Sequence, residues 1–543
     1  MENNFISLYG TLSDCHNNVR KNFYEKIDEN KHAATYVGKH DNAYAEPEFT
    51  GKFMDICAYF YEAEKDTRAL EKGMTVALSV CENQHPDGYF GGLTKGNELE
   101  AFSVWNHGFT LYGLTRMYEA TRDERVKNAI IKGADWLVSI FNDPKIHDIY
   151  DAPNDGSQHI SCIYSLCKTY LLTNDKKYLD FISKMLEHGE TTDMNLLSFK
   201  SVFDLRSKKG IEMLVIYLGV LQYGLIAENH TAIDAAKRYW KEIFETQIRN
   251  TGNGTIKEVW EKNGNAARIL PTDINPNETC VAVGWCELSL MLFHLEQRKE
   301  YLDAIEKTLY NHLIGSLAKN GSDLAYYQGN CGKKIYRTNE GAYQCCRYRG
   351  FTFFSYLKEF IYYINDNVII PMIYGPSTYK TADLEINQTT IYPSSEKITF
   401  DITNKQNAKT LKLRIPYWCE NYSVMKNGEQ LDLTAIDGYI NVEIPKGKTN
   451  IVLNLNMSLI SHFDTIDNKN YVSFTYGPLL LALDTCYGNS IDDVFVKQDT
   501  YNLINTDNQI LHIGYGDLHL VDYASAGSVN PNNDVYTVFI KTE

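Results

Sequence analysis

The sequence predicts an α+β multidomain protein, an (α/α)6 helical barrel followed by a C-terminal antiparallel β-sandwich region. Over the first 365 residues, apolar residues recur at i, i+3, i+4 and i+7, the spacing of one helix face. After this point the period falls to two, as in half-buried strands. We therefore expect a barrel at 1–365, a sandwich at 366–484, and further strands at 485–543 that complete the sandwich or form a small second β domain.

The helical part contains a loose repeat in which an apolar helix, a short charged turn and an amphipathic helix follow one another. Copies recur roughly 50–70 residues apart, a period typical of stacked helix pairs. Such pairs form either a closed barrel or an open solenoid. Polar, glycine-rich inserts such as HPDGYFGG and TGNGTIKEVWEKNG flank the pairs and suit the rim of a closed barrel, which we favour. The turns lie near Asp66, Asp123, Asp175, Asn229 and Lys299.

The β region is indicated by runs in which apolar and polar residues alternate between clusters of turn residues. Four such runs predict antiparallel sandwich strands, and YVSFTYGPLLLALD predicts a further strand pair. Beyond residue 485 the runs continue and predict the last strands. The four sandwich runs are TIYPSSEKITFDITN, KTLKLRIPYW, YINVEIPKG and NIVLNLNM.

Composition excludes several functional classes. The net charge is −16 and no basic stripe is present, which argues against nucleic acid and anionic membrane surfaces as partners. We expect no membrane-spanning helix. The N-terminal residues have no basic segment followed by an apolar one, and several of the 12 cysteines lie on apolar helix faces, which predicts a cytoplasmic protein with reduced thiols. The sequence is compatible with a homodimer.

Two short strings provide a set of metal ligands. Glu278 and Cys280 lie in E-T-C, and Cys345 and Cys346 are adjacent about 65 residues later. One carboxylate and three thiols make a complete set for Zn²⁺. Two alternatives remain open, namely buried cysteines without a metal and a disulfide between the adjacent pair.

The same strings carry a family resemblance. E-T-C followed by an amphipathic helix, the string YLDAIEKTLYN at 301–311, QCC, and FTYGPLLLALD in the β region together resemble the zinc-dependent β-L-arabinofuranosidases of glycoside hydrolase family 127 and its relatives. The resemblance is strong over about 250–350 and weak over most of the remaining chain. It implies an (α/α)6 barrel with C-terminal β-sandwich domains, a glycoside or oligosaccharide substrate, and a furanosidic terminal sugar released with retention.

The resemblance also implies catalytic roles. Zn²⁺ would be bound by the four ligands above, and Cys345 would also be the nucleophile. The acid/base would lie in the glycine-rich loop upstream of E-T-C. Glu258 matches the form of this loop in some relatives, and Glu261 is the alternative because its spacing to Glu278 is nearer the best-known branch.

Further substrate contacts are predicted around these residues. His107 and His159 match places where the family presents a histidine to the sugar, and Tyr343 lies beside the cysteine pair. Arg347 and Arg349 follow the cysteines in CCRYRG, where the familiar branch has CCPPN. Because guanidinium groups match carboxylate geometry, these arginines fit an anionic sugar. A pair of structural arginines is the alternative.

Two other functions use the same features. A sugar epimerase, uronyl hydrolase or lyase would use histidine or aspartate pairs at the barrel mouth, with His107 and His159 as the nearest candidates. A non-catalytic carbohydrate-binding protein would use the four ligands for a closed, structural zinc, since a catalytic zinc usually keeps an open position.

Overall fold

The structure is a computed structural model of the chain. It describes residues 5–38, 46–91, 93, 96–100, 102–262, 271–336, 344–466, 468–504, 511–531 and 533–542.

The helical part occupies the described chain from Gly10 to Ser355. Its longer helices come in pairs, and three short helices, α2, α7 and α14, lie in the connections. The helices are α1 (Gly10–Asn22), α2 (Glu29–Ala34), α3 (Glu46–Glu64), α4 (Thr67–Asn83), α5 (Ser103–Thr121), α6 (Glu124–Ile140), α7 (Ser157–Ile160), α8 (Ile163–Thr173), α9 (Lys177–Gly189), α10 (Gly210–Ile226), α11 (His230–Thr246), α12 (Thr279–Glu296), α13 (Lys299–Lys307), α14 (Ile314–Ser316) and α15 (Gln344–Ser355).

Six inner helices form a closed ring. Each of α3, α5, α8, α10, α12 and α15 packs against the next, and α15 packs back against α3. The outer helices α4, α6, α9, α11 and α13 each pack on the inner helix that precedes them, and α1 packs on α15. The predicted helical barrel is therefore present. Its sixth outer helix is N-terminal, so the pair that closes the ring joins segments from distant parts of the sequence.

The five predicted turns share one local structure. In each, a residue with left-handed backbone ends the inner helix, and the next residue begins the turn into the outer helix. Asp66, Asp123, Asp175 and Asn229 then accept hydrogen bonds from backbone N–H groups at the start of the outer helix. The left-handed residues are Lys65, Arg122, Asn174, Glu228 and Gln297, with φ of 59°, 59°, 56°, 54° and 54°.

Glycines allow the closest contact between inner helices. A Cβ atom at Gly51 of α3 would lie 2.2 Å from the carbonyl oxygen of Phe109 in α5, and one at Gly113 would lie 2.5 Å from the oxygen of Gly51. Helices α3 and α5 can therefore approach one another only because both positions lack a side chain.

In the part of the chain that the structure describes, three sheets make up the β part and are antiparallel except for the β4–β8 and β16–β21 pairs. The first sheet has the order β1 (Phe5–Leu8), β5 (Ser377–Lys380), β6 (Leu384–Thr389), β7 (Lys397–Asn404), β12 (Gly447–Leu455), β9 (Tyr422–Lys426) and β10 (Glu429–Leu431). The second has the order β11 (Tyr439–Ile444), β8 (Lys409–Arg414), β4 (Val368–Pro371) and β3 (Tyr362–Ile364).

The third sheet follows the first two in sequence and touches the barrel. Its order is β16 (Val494–Phe495), β21 (Ile540–Thr542), β14 (Lys469–Tyr476), β15 (Leu479–Asp484), β19 (Leu518–Asp522), β18 (His512–Tyr515) and β17 (Asn502–Ile504), and β13 (Leu459–Ile466) pairs with β14. Strand β20 (Tyr536–Thr537) joins β15 to β2 (Cys331–Gly332), which lies in a barrel loop. The boundary placed at 365 falls between β3 and β4, and that at 484 falls at the end of β15.

One described helix, α12, is long and apolar enough to cross a membrane by length and composition. It is an inner helix of the ring, and 67% of its apolar window is buried inside the protein. A buried core helix meets the same criteria, so α12 is explained by its place in the barrel.

Candidate active site

The predicted functional residues gather where the inner helices begin. Because inner and outer helices alternate, the inner helices run in the same direction and their N-terminal ends meet at one mouth of the ring. Glu48 of α3 contacts Cys345 of α15, and Cys346 contacts Glu278 and Cys280 at the start of α12. Helix N-termini carry partial positive charge and favour anionic groups such as carboxylates and thiolates.

Three of the four predicted ligands form a tight group. The ligand atoms of Glu278, Cys280 and Cys346 all lie within 4.8 Å of one another. The Sγ of Cys346 is 3.6 Å from Oε1 of Glu278 and accepts a hydrogen bond from the backbone N–H of Cys280 at 3.2 Å. Cys345 adjoins this group through Cys280, with 3.5 Å between the two sulfur atoms. Both adjacent cysteines are free thiols, so the disulfide alternative is not what this structure contains.

The donor set fits a metal ion. Glu278 is 1% exposed, and among the described residues its Oε2 has no hydrogen-bond partner. A buried carboxylate oxygen without a partner is costly unless a cation or donor contacts it. Burial raises the pKa of Glu278 to about 8, with a further contribution from Glu258, and burial raises the pKa of Cys346 to about 12. A bound cation would reverse both shifts because it stabilises the anionic forms.

Cys345 differs from the other ligands in its surroundings. Its side chain is partly exposed, whereas Glu278, Cys280 and Cys346 are buried. Its Sγ lies 3.2 Å from Oε1 of Glu48 and 3.8 Å from Nζ of Lys52, and these two residues form an ion pair. Hydrogen bonding with Cys280 and burial together raise the pKa of the Cys345 thiol, and Lys52 opposes this effect. Cys345 is therefore a partly exposed residue whose thiol has a buried ammonium group beside it.

Glu258 is held rigidly in its loop. Its φ is +70°, a left-handed conformation that is unfavourable for a residue with a side chain. Its carbonyl oxygen accepts a hydrogen bond from the backbone N–H of Gly210 at 2.8 Å, which fixes the loop to the start of α10. Its Oε1 accepts hydrogen bonds from the hydroxyls of Tyr326 at 3.0 Å and Tyr327 at 2.5 Å, and its other oxygen pairs with Lys209.

The charge of Glu258 reflects two opposing effects. Burial would raise its pKa, but Lys209 and the two tyrosine hydroxyls more than offset burial, so the pKa lies below the ordinary value of a glutamate. Tyr326 also contacts the carboxylate of Glu278, which connects the loop to the ligand group. Glu261, the alternative acid/base, is exposed three residues further along the chain.

The structure does not bring His107 to an open site. The side chain is fully buried, its Nδ1 accepts a hydrogen bond from the backbone N–H of Phe90 at 3.2 Å, and its Nε2 donates to the carbonyl of Gly133 at 2.9 Å. The ring also packs against Tyr89 and Trp136. Through these two hydrogen bonds, His107 connects the loop before α5 to α6. Because both nitrogens are engaged, His107 has a structural place here and not the sugar contact that the sequence predicted.

His159 lies in α7, immediately before the inner helix α8. It is 2% exposed and packs against Phe141, and burial lowers its pKa to about 4. Within the described chain, its neighbour Gln158 has no hydrogen-bond partner for either amide atom, although it is fully buried. Tyr343 lies outside the described residues.

The two arginines have different partners, and the contacts described for them are not with Cys345. Arg347 lies over the ring of Phe23, 5.1 Å from its centroid, and donates to the carbonyl of Ser322 at 3.2 Å. Arg349 is buried and forms an ion pair with Glu287. These contacts are those of structural arginines, the alternative to the anionic-sugar hypothesis.

Several residues at this mouth were not predicted from the sequence. Lys52 was detectable in principle, because it is a charged residue within the mostly apolar run FTGKFMDICAYF. His312 lies in a π-helical turn (Thr308–Leu313), and its Nε2 is 3.2 Å from the hydroxyl of Thr279, the middle residue of E-T-C. π-helical turns are frequent at functional sites but have no simple sequence signal.

Glu212 is a third such residue. It accepts hydrogen bonds from Asn154 at 2.5 Å and from Ser157, and burial raises its pKa to about 7. It therefore fixes the start of α7, which carries Gln158 and His159, to the start of α10.

Comparison with known proteins identifies relatives over nearly the whole chain. A family model described as the catalytic domain of GH127 β-L-arabinofuranosidases matches residues 6–359, and one described as the middle domain matches residues 369–457. A non-reducing end β-L-arabinofuranosidase of Bifidobacterium longum subsp. longum is 24% identical over 471 residues, which are 75% of this chain and 70% of that protein.

Two solved structures share the fold. A GH127 β-arabinofuranosidase superposes with a TM-score of 0.84 and 19% identity, over 99% of this chain and 96% of that one. A GH127 β-L-arabinofuranosidase from Geobacillus stearothermophilus T6 superposes with a TM-score of 0.77 and 16% identity, over 99% of this chain and all of that one.

Proposed function

Because the chain belongs to glycoside hydrolase family 127, we propose that it is a retaining exo-glycosidase that releases a terminal β-L-arabinofuranoside-like sugar. The observation that carries this proposal is the position of Cys345, a partly exposed residue whose sulfur lies 3.5 Å from the sulfur of Cys280 at the edge of the Glu278–Cys280–Cys346 group. A thiol in this position can contact both a bound metal ion and a sugar.

The residues that would hold the metal are Glu278, Cys280, Cys345 and Cys346, and we propose Zn²⁺. The unpartnered oxygen of Glu278 and the thiol-rich donor set support this choice. When bound, the ion keeps its thiol ligands deprotonated at neutral pH, which supplies a thiolate without a partner base.

In the first step, the sulfur of Cys345 attacks the anomeric carbon of the terminal sugar. A C–S bond forms, the glycosidic C–O bond breaks, and Glu258 donates a proton to the departing oxygen. The ion pair with Lys209 and the two tyrosine hydroxyls hold the Glu258 carboxyl group in place for this transfer. The exposed position of Glu261 makes it the weaker choice for this role.

In the second step, Glu258 removes a proton from a water molecule, whose oxygen attacks the anomeric carbon. The C–S bond breaks and Cys345 leaves as a thiolate. Two successive displacements at one carbon give net retention, as in retaining glycosidases that use two carboxyl groups.

The contacts of the arginines favour a neutral sugar. Arg349 is neutralised by Glu287, and Arg347 lies over Phe23. An anionic substrate would need a guanidinium group beside Cys345 that is not already neutralised. The alternative function as an epimerase, uronyl hydrolase or lyase would use two histidines. Both nitrogens of His107 are hydrogen-bonded to the backbone, so this histidine is not available for that chemistry.

Hydrolysis of 4-nitrophenyl β-L-arabinofuranoside by the wild type and three variants tests the proposal. Cys345→Ala and Glu258→Gln should each lower kcat by at least about a hundredfold, since each removes a group that takes part in bond breaking. Glu261→Gln should retain near wild-type activity and is the matched control. Full activity of Cys345→Ala would refute thiolate catalysis, and loss of activity in Glu261→Gln alone would reassign the acid/base.

Metal content separates the catalytic reading from the non-catalytic one. Zinc bound by a protein that binds arabinosides without hydrolysing them would indicate a structural metal in a carbohydrate-binding protein. Zinc bound by an active wild type, with loss of both zinc and activity in Glu278→Ala, would support the proposed role.

A further inference from the structure

The ring of inner helices encloses a second cavity, distinct from the mouth where the thiols lie. All six inner helices contribute to its wall, so it runs along the axis of the barrel. Its volume is about 340 Å³, within the range of small-molecule sites. We call it the axial cavity and define it by Asp55, Tyr112, Tyr164, Glu287, Met291 and Arg349.

The inner end of the axial cavity lies directly below the thiols. Arg349 is one helical turn beyond Cys345 in α15, and Glu287 is two turns beyond Cys280 in α12. Phe109, which also lines the cavity, lies under the ammonium group of Lys52, 4.9 Å from nitrogen to ring centroid. The cavity continues toward His294 and Glu359 at the opposite end of the ring.

The inner end presents an arginine with one unpartnered nitrogen and a partly exposed carboxylate. The Nε of Arg349 is buried and, among the described residues, has no hydrogen-bond acceptor, and the 11% exposure of the side chain comes from its other atoms. Glu287 pairs with Arg349, yet its side chain is 28% exposed in the middle of an inner helix, between the fully buried Cys286 and Leu288. That exposed surface faces the cavity, so a donor and an acceptor stand side by side at its inner end.

The remainder of the wall is mostly aromatic and aliphatic. Tyr112 and Tyr164 meet edge to face, with ring centroids 5.8 Å apart, and Met291 lies on α12 between Glu287 and the far end. Flat apolar surfaces of this kind stack on rings. Asp55, a buried carboxylate of the wall, is already paired with Arg116 and accepts a hydrogen bond from the hydroxyl of Tyr356.

The charges of the wall restrict the ligand. An anion would face Glu287 and Asp55, and a cation would face the guanidinium group of Arg349. A hydroxyl group satisfies both neighbours, because it donates to Glu287 and accepts from Arg349. We propose that the axial cavity is a second binding site, for a neutral ring compound that carries hydroxyl groups, with one hydroxyl between Arg349 and Glu287.

A monosaccharide and a phenol share this chemistry, and diffraction can distinguish them. Crystals of the full-length protein should be soaked separately with L-arabinose and with 4-bromophenol, whose bromine is located by anomalous scattering. We expect one of the two in the axial cavity, with its hydroxyl within hydrogen-bond distance of the Arg349 guanidinium group and Glu287. Because no hydrolysis is measured, this experiment succeeds or fails independently of the proposed activity.

Variants that fill the cavity test the site in solution. Met291→Trp should weaken binding of the ligand found in the crystals by at least about tenfold in calorimetry. Leu295→Trp, at an exposed position of the same helix, should bind like the wild type. Leu218→Phe, a smaller change in the same wall, serves if Met291→Trp does not fold. An empty cavity with both ligands at saturation, or unchanged binding by both filling variants, would overturn the proposal.

Discussion

The guanidinium group of Arg414 in β8 contacts the carboxylate of Glu306 in α13 at 2.5 Å, and both side chains are fully buried. Arg414 also pairs with Asp303 at 2.5 Å, and the hydroxyl of Tyr392 donates to Glu306 at 2.7 Å. The string at 301–311, which carried part of the family resemblance, therefore joins the barrel to the second sheet. Its last residue, Asn311, donates to Pro478 and accepts from Leu480, and so joins the barrel to the third sheet.

Arg414→Met should destabilise the protein by about 3–5 kcal/mol, because among the described residues it leaves the fully buried Glu306 without a cation, whereas Asp303 keeps its ion pair with Lys299. Chemical denaturation followed by fluorescence measures the change. Lys380→Met is the matched control, since Lys380 pairs with Glu385 at the surface and such pairs contribute about 1 kcal/mol or less. Equal effects of the two substitutions would show that the buried pair does not hold the domains together.

Buried histidines should make the protein sensitive to mild acid. Burial lowers the pKa of His107 to about 4, from an ordinary value of 6.5. Between these values the unfolded chain binds a proton that the native protein does not, so stability falls as the pH is lowered from about 6.5 to 4. The contribution of His107 over this range is about 3 kcal/mol.

His107→Gln tests this contribution because glutamine does not titrate. We expect a shallower decrease in the free energy of unfolding between pH 6.5 and 4 than in the wild type, whatever the stability of the variant at neutral pH. His230→Gln, at an exposed position at the start of α11, should keep the wild-type slope. A wild-type slope in His107→Gln would contradict the assignment of a buried neutral histidine.

The sequence predicted those parts of the molecule that depend on local chemistry. The helix pairs were found because Asp66 and Asp123 cap helices that follow apolar runs, and a capping residue next to a periodic pattern is a local signal. The metal ligands were found because their residue types are rare and come in two short strings. In both cases the neighbours in sequence are also the partners in space.

The parts that could not be predicted depend on distant contacts. Strand β1 pairs with β5 across more than 360 residues, and nothing within Phe5–Leu8 identifies that partner. Glu48 meets Cys345 across 297 residues. The orientation of Arg349 is set by Glu287, so its place in the sequence beside the cysteines gave no indication that it faces the axial cavity.

The ion pair between Lys209 and Glu258 should set the pH dependence of the proposed reaction. Lys209→Met removes the charge that holds the pKa of Glu258 low, and burial then raises it. Because the first step requires the protonated acid, the basic limb of the kcat/KM profile should move to higher pH. Lys208→Met, whose Nζ contacts the carbonyl of Leu205 instead, should leave the profile in place. A shift to lower pH in Lys209→Met would contradict Glu258 as the acid.

The buried ammonium group of Lys52 should stabilise the Cys345 thiolate. Its Nζ lies 3.8 Å from the sulfur and also pairs with Glu48, so Lys52→Met leaves a buried carboxylate beside the thiolate with no cation between them. Like charges at this distance disfavour ionisation of the thiol. We expect kcat to fall by about ten- to a hundredfold, equivalent to roughly 1.4–2.7 kcal/mol.

Two further measurements separate this effect from a loss of folding. Alkylation of Cys345 by iodoacetamide in the metal-depleted protein should slow in Lys52→Met, because the thiolate is the reactive form. Lys52→Arg keeps the positive charge and should recover most of the alkylation rate. If Lys52→Met alkylates as fast as the wild type, Lys52 acts only on Glu48 and has no part in activating Cys345.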